Sequence, residues 1–141
     1  MQQRQLDERS FVLRIEKGES AINTITQFCL EHKIESGFFN GIGAVDMAEI
    51  AHYNLQTKQY STKQIEKPLE VTNITGNIAW YNEAPIVHAH VTLSDDEMRA
   101  IGGHVVELRV SGTLELFFTS TKKLVKDVDP VTGLKLFSLE R

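Results

Sequence analysis

Ile86-Val87-His88-Ala89-His90-Val91-Thr92-Leu93 carries an apolar residue at every odd position and alternates apolar with polar from Val87 onward. Val87, Ala89, Val91 and Leu93 form one apolar face, so the two-residue period of a strand sends His88, His90 and Thr92 to the other. The segment therefore reads as a half-buried β-strand. Two imidazoles project from it side by side. Residues two apart on a strand have Cα atoms roughly 6.5–7 Å apart, from which two imidazole nitrogens can converge on one ion at about 2.0–2.1 Å. His104 is the candidate third ligand. Thirteen residues separate it from His90, enough for a loop and a return strand, and Gly102-Gly103 lets the backbone bend just before it. His104 also falls in phase with Val106, Leu108 and Val110, so a regular strand turns it inward and only a twist or bulge turns it out. An isolated His-x-His pair equally suits the polar face of a half-exposed strand.

Working outward, Phe11, Leu13 and Ile15 alternate with Val12, Arg14 and Glu16 as a second short strand that Gly18 ends. From Ser20, an N-cap residue type, Ala21, Ile22, Ile25, Phe28, Cys29 and Leu30 recur at steps of three and four. That spacing predicts a helix to about Lys33, ended by Ser36-Gly37. Further extended segments are expected over Phe38–Asn54, Gln59–Ile65, Leu69–Tyr81, Ile86–Leu93, His104–Phe118 and Leu134–Leu139. Turn signals stand at Asn82-Glu83-Ala84-Pro85, Ser94-Asp95-Asp96, Gly102-Gly103 and Asp129-Pro130-Val131-Thr132-Gly133, short enough for hairpins. The expected fold is α+β: a mostly antiparallel sheet packed against one main helix. No linker or repeat interrupts it, so residues 1–141 read as one domain with a core at about 10–139.

A chain of 141 residues, 41% hydrophobic and 24% charged, can bury a core without disulfides or a structural metal, so a metal here would be functional. With 15 Lys and Arg against 19 Asp and Glu, a net charge of -4 and a pI of about 5.7, unspecific duplex binding is disfavoured. The single cysteine, Cys29, cannot form an intrachain bridge, and no apolar run approaches the ~20 residues of a membrane helix. The polar start MQQRQLDERS lacks a signal-peptide pattern. A cytoplasmic protein without membrane contact is expected.

A zinc ion on three imidazoles keeps an open position and can act as a hydration or hydrolysis catalyst. Catalysis also needs an acid or base. Glu70, Asp95, Asp96 and Glu97 are the available carboxylates, but residues of a Ser-Asp-Asp-Glu run usually serve a solvated turn, so no catalytic residue is assigned. A cupin reading of His-x-His fails because Glu97 follows His90 by seven residues and no second half-motif exists. Gly41-Ile42-Gly43 lacks the third glycine and the helix of a phosphate loop, and suggests a bulge or close backbone approach instead. Cys29 sits on the apolar helix face, His32 near the helix C-terminus, and His52 on a half-exposed strand. Lys122, Lys123 and Lys126 read as a solvated face, and Trp80 as core or interface.

Gly-Ile-Gly-Ala-Val (41–45), Pro-Leu-Glu-Val (68–71), Gly-Asn-Ile (76–78), His-Ala-His-Val-Thr-Leu-Ser (88–94) and Gly-Gly-His (102–104) occur in an order that resembles the plants-and-prokaryotes conserved (PPC) domain. The likeness runs from Gly18-Glu19-Ser20 to Asp129 and Thr132-Gly133, and the chain resembles a stand-alone prokaryotic member. The resemblance implies a homotrimer, a metal site, with zinc the expected ion, at His88, His90 and His104, and DNA or protein partners in a regulatory role. In plants the domain follows AT-hooks in nuclear DNA-binding proteins. This chain has no Arg-Gly-Arg-Pro core, and Lys67-Pro68-Leu69-Glu70-Val71-Thr72 stands where plant members carry Gly-Arg-Phe-Glu-Ile-Leu. A zinc-dependent hydrolase or hydratase and a small-molecule-binding trimer are the alternatives.

Overall fold

The computed structural model describes residues 1–139. In chain order it contains β1 (Gln2–Gln5), β2 (Ser10–Glu16), α1 (Ala21–Glu31), β3 (Ser36–Asn54), β4 (Gln59–Tyr81), β5 (Ala84–Ser94), β6 (Ala100–Thr121), β7 (Lys126–Val128) and β8 (Lys135–Phe137). Six strands form an antiparallel sheet in the order β1-β2-β6-β3-β4-β5. Its last strand, β5, returns to pair with residues 100–104 of β6, so β3, β4, β5 and β6 close into a ring. No helix among the described residues is long and apolar enough to cross a membrane.

This corrects the expectation of a sheet packed against one main helix. Strand makes up 68% of the chain and helix 8%. The physical reason lies in the glycines and polar residues read as interruptions: the backbone passes through them extended, with a register shift against β3 between Glu66 and Leu69 and unbroken pairing to β5 through Gly102-Gly103. Gln59–Ile65 and Leu69–Tyr81 thus belong to one 23-residue strand, and Gly102-Gly103 lie inside β6. Strands of 19, 23 and 22 residues coil far enough to meet their own edge, and closure buries apolar side chains inside the ring.

The 11-residue α1 contributes Ala21, Ile25, Phe28 and Cys29 to the same core. Phe28 packs edge-on to Phe11 and Phe118, with ring centroids 5.3 and 5.4 Å apart, and Phe118 stacks on Phe39. Such aromatic pairs add about 0.5–1.5 kcal/mol each beyond area burial. Burial among these groups pushes the Cys29 thiol up to about 12, which keeps it a protonated hydrophobe.

Ser20 holds the N-cap position of α1 but makes no side-chain cap bond. Glu107 of β6 does that work from a distance: its carboxylate accepts from the backbone N–H of Ile22 at 2.8 Å and of Asn23 at 3.3 Å, and from its neighbour Leu108 at 2.8 Å. A carboxylate over free amides at a helix start satisfies donors and complements the dipole. Glu107→Ala is expected to lower unfolding free energy by about 1–2 kcal/mol, read by urea denaturation, whereas Ser20→Ala changes it by a few tenths.

Candidate metal centre

On β5 the burial pattern follows the pleat. Ala89, Val91 and Leu93 are buried, while His90 and Thr92 are exposed and His88 is half-buried. His104 reaches the same outer surface because β6 is bulged. Glu49 of β3 pairs with Glu107, but the next residue, Ile50, pairs with Val105, leaving Val106 as an extra residue. Val105 and Leu108 therefore both face the core, and the parity that would have turned His104 inward is reversed. His104 is then the direct cross-strand partner of His90.

The three rings form a triangle. Centroids lie 5.3 Å apart for His88 and His90, 5.1 Å for His88 and His104, and 5.5 Å for His90 and His104. One ring nitrogen from each can be chosen so that all three lie within 4.8 Å of one another. His88 is pushed down to about 4, chiefly by burial and further by the Lys126 ammonium and the other two histidines. His104 is also lowered, chiefly by burial, then by His90 and Lys126. Both imidazoles are thus neutral at pH 7, the form that donates a lone pair to a metal. His104 Nδ1 is buried without a hydrogen-bond partner among the described residues, a cost that an ion or an acceptor would relieve. The donor set fits a borderline ion such as zinc.

The carboxylates considered from the sequence do not join the cluster. Asp95 is held in its own turn by Arg99 and Lys67 side chains and by the backbone N–H groups of Glu97 and Arg99, which hold its carboxyl well below the usual range. Glu70 pairs across the sheet with Ser94, and Asp96 and Glu97 lie in the exposed β5–β6 turn. Gly41-Ile42-Gly43 lies mid-strand against β6, away from any helix start. His32 closes α1 against Phe11 and Phe28, and His52 is exposed on β3.

The β7–β8 hairpin, which the periodicity did not reveal as a pair, encloses a cleft with His88 and His104 and leaves His90 exposed. It is tied down through Trp80 N–H to Leu124 O (2.9 Å), Tyr53 OH to Thr132 O (2.8 Å) and Lys58 Nζ to Pro130 O (3.1 Å). The cleft is about 420 Å³, with His88, His104, Tyr60 and Lys126 among its walls. Lys126 is not part of a solvated face: it is 3% exposed, with Nζ 3.5 Å from His88 Nδ1. Burial lowers its pKa. A lysine inside Lys122–Lys126 carries no sequence signal that separates it from its neighbours, because only the docking of β7 buries it.

The fold and site define an antiparallel β protein with a closed ring of strands and a three-imidazole cluster on its outer surface. The chain belongs to the Plants and Prokaryotes Conserved (PCC) domain family, whose profile matches residues 2–122. Three solved structures are similar over nearly its full length. A "putative dna binding protein" from Bacteroides thetaiotaomicron shares 28% identity at a TM-score of 0.92, covering 97% of this chain and 96% of that one. A plant- and prokaryote-conserved protein from Pyrococcus horikoshii shares 30% identity at 0.86, covering 92% and 90%. A metal-containing protein from Archaeoglobus fulgidus shares 31% identity at 0.85, covering 92% of each. No curated protein matches the chain.

Proposed function

We propose that this chain is a metal-binding PCC protein, with zinc held by His88, His90 and His104, that works as a homotrimer in a regulatory or interaction role, DNA among its partners, in the cytoplasm. The observations that carry the metal reading are the convergence of one ring nitrogen from each of three imidazoles on two strands and the burial of His104 Nδ1 without a hydrogen-bond partner among the described residues. Zinc on three imidazoles supplies Lewis acidity and a bound water with a pKa near 7. The residues of this chain orient it: the bulge at Val106 aims His104, the β5 pleat aims His88 and His90, and the β7–β8 hairpin limits water on one side. No carboxylate lines the cleft among the described residues, which favours a binding role over acid–base hydrolysis.

Self-association is supported by an apolar row on the outer sheet surface. Phe38, Ile42 and Phe117 are 53%, 62% and 62% exposed, and Phe117 faces Asn40, midway between the other two on β3. Patches of that kind are covered by a partner in stable assemblies, and a second copy of this chain brings the same row. Elemental analysis of the purified protein tests the metal, with near-stoichiometric zinc expected, and light scattering on the same sample tests for three chains of 15.9 kDa. For DNA, the family-level reading expects a salt-sensitive complex in fluorescence anisotropy with duplex at low salt; no binding there removes DNA from the reading and leaves protein partners.

A further inference from the structure

Lys126 does something the three imidazoles do not require. A buried ammonium is costly unless an anion or several acceptors meet it. Its neighbours are poor compensation: His88 Nδ1 at 3.5 Å lies beyond a good hydrogen bond, and the Phe137 ring centroid is 4.8 Å away. Among the described residues no carboxylate forms an ion pair with it within 4.0 Å. The cleft it faces has the volume of a small-molecule site, about 420 Å³ against the roughly 300–1,000 Å³ such sites occupy. Its walls are largely apolar, with Ile86, Val87, Val106, Leu134 and Leu136 contributing. The other cleft lysine, Lys135, is turned onto the Tyr81 ring, 4.4 Å from its centroid.

We propose that the cleft under the β7–β8 hairpin binds a small monocarboxylate with an apolar body, its carboxylate received by Lys126 and its body by the aliphatic walls. One buried cation among aliphatic side chains suits a single negative charge. A phosphate would call for several donors, such as an arginine fork or a glycine-rich turn, and the cleft offers neither. His88 and His104 line the same cleft, so the carboxylate contact to Lys126 is tested with any ion removed.

Calorimetric titration of chelator-treated protein with hexanoate, hexanamide and acetate tests this. Hexanoate is expected to bind at least about tenfold more tightly than hexanamide, for want of the charge, and than acetate, for want of apolar contact. Lys126→Met is expected to bring hexanoate down to the level of the amide, and Lys126→Arg to keep the preference for the acid, with thermal melts showing that both variants fold. Equal binding of acid and amide, no binding of either, or an unchanged preference in a folded Lys126→Met protein would overturn the proposal. The wild-type acid-to-amide ratio decides the matter even if Lys126→Met does not fold. Because the ion is removed beforehand, failure here leaves the metal reading standing, and absence of zinc leaves this one standing.

Discussion

His90→Ala is expected to reduce the zinc content of the purified protein roughly tenfold or more while leaving its fold intact. Two ligands cannot hold the ion as three do: structural and catalytic zinc sites almost always keep at least three protein ligands. His90 is the informative position because it is exposed and its partners across the sheet, Thr75 and His104, are held by backbone pairing rather than by its ring. Truncating an exposed strand residue of this kind changes stability by less than about 1 kcal/mol, so metal loss cannot be blamed on unfolding. Mass spectrometry of the elements beside a His52→Ala control, which removes an exposed imidazole outside the cluster, makes the comparison. Zinc retained in His90→Ala counts against the three-imidazole site. Wild-type protein without metal, even after zinc is supplied, turns attention to the apolar row and its partners.

Gly43→Ala is expected to destabilise the fold by about 3 kcal/mol or more, among the largest effects a single methyl can have. A Cβ at Gly43 would stand 2.1 Å from the carbonyl oxygen of Thr113 and 2.7 Å from the Cα of Leu114, both backbone atoms of the paired strand β6. Neither can turn aside as a side chain would, so β3 and β6 must separate where their register already shifts. Gly41 meets the same obstacle at the carbonyl of Glu115, also 2.1 Å. With total stability of about 5–15 kcal/mol for a domain of this kind, either change removes a large share. Gly112→Ala is the control: its nearest neighbour would be the Ala44 methyl at 3.8 Å, an ordinary contact, and the expected change is within about 0.5 kcal/mol. Equal urea midpoints for Gly43→Ala and Gly112→Ala would contradict the close-approach reading.

These two effects differ in how far they were visible beforehand. His88 and His90 sit where the alternation of β5 puts them, because period-two patterning fixes which face a side chain takes. Gly41-Ile42-Gly43 was legible as a place of close backbone approach but not as to what approaches, since the partner strand lies some 70 residues further along the chain. As the third imidazole, His104 needs a twist or bulge to turn it out, and the one-residue bulge at Val106 meets that condition. A bulge leaves little mark in sequence, because Val106 is apolar yet exposed. Ser20 stands at the N-cap, where its residue type puts it, but the carboxylate that meets the free amides is that of Glu107, 85 positions from Ile22, which only tertiary contact brings to the helix start.

By itself the sequence determined the strand periods, the amphipathic helix, the outward pair His88 and His90, and a chain large enough to fold on apolar burial alone. Those are local properties, set by alternation over a few residues and by composition. Only the tertiary structure decided that the sheet closes through β5 and β6 rather than resting on a helix, that His104 joins the pair, and that Lys126 is buried beside them. Each depends on which distant strand lies alongside, and that is settled by the summed burial and pairing of long, coiled strands, to which no short stretch of residues contributes enough to reveal the outcome.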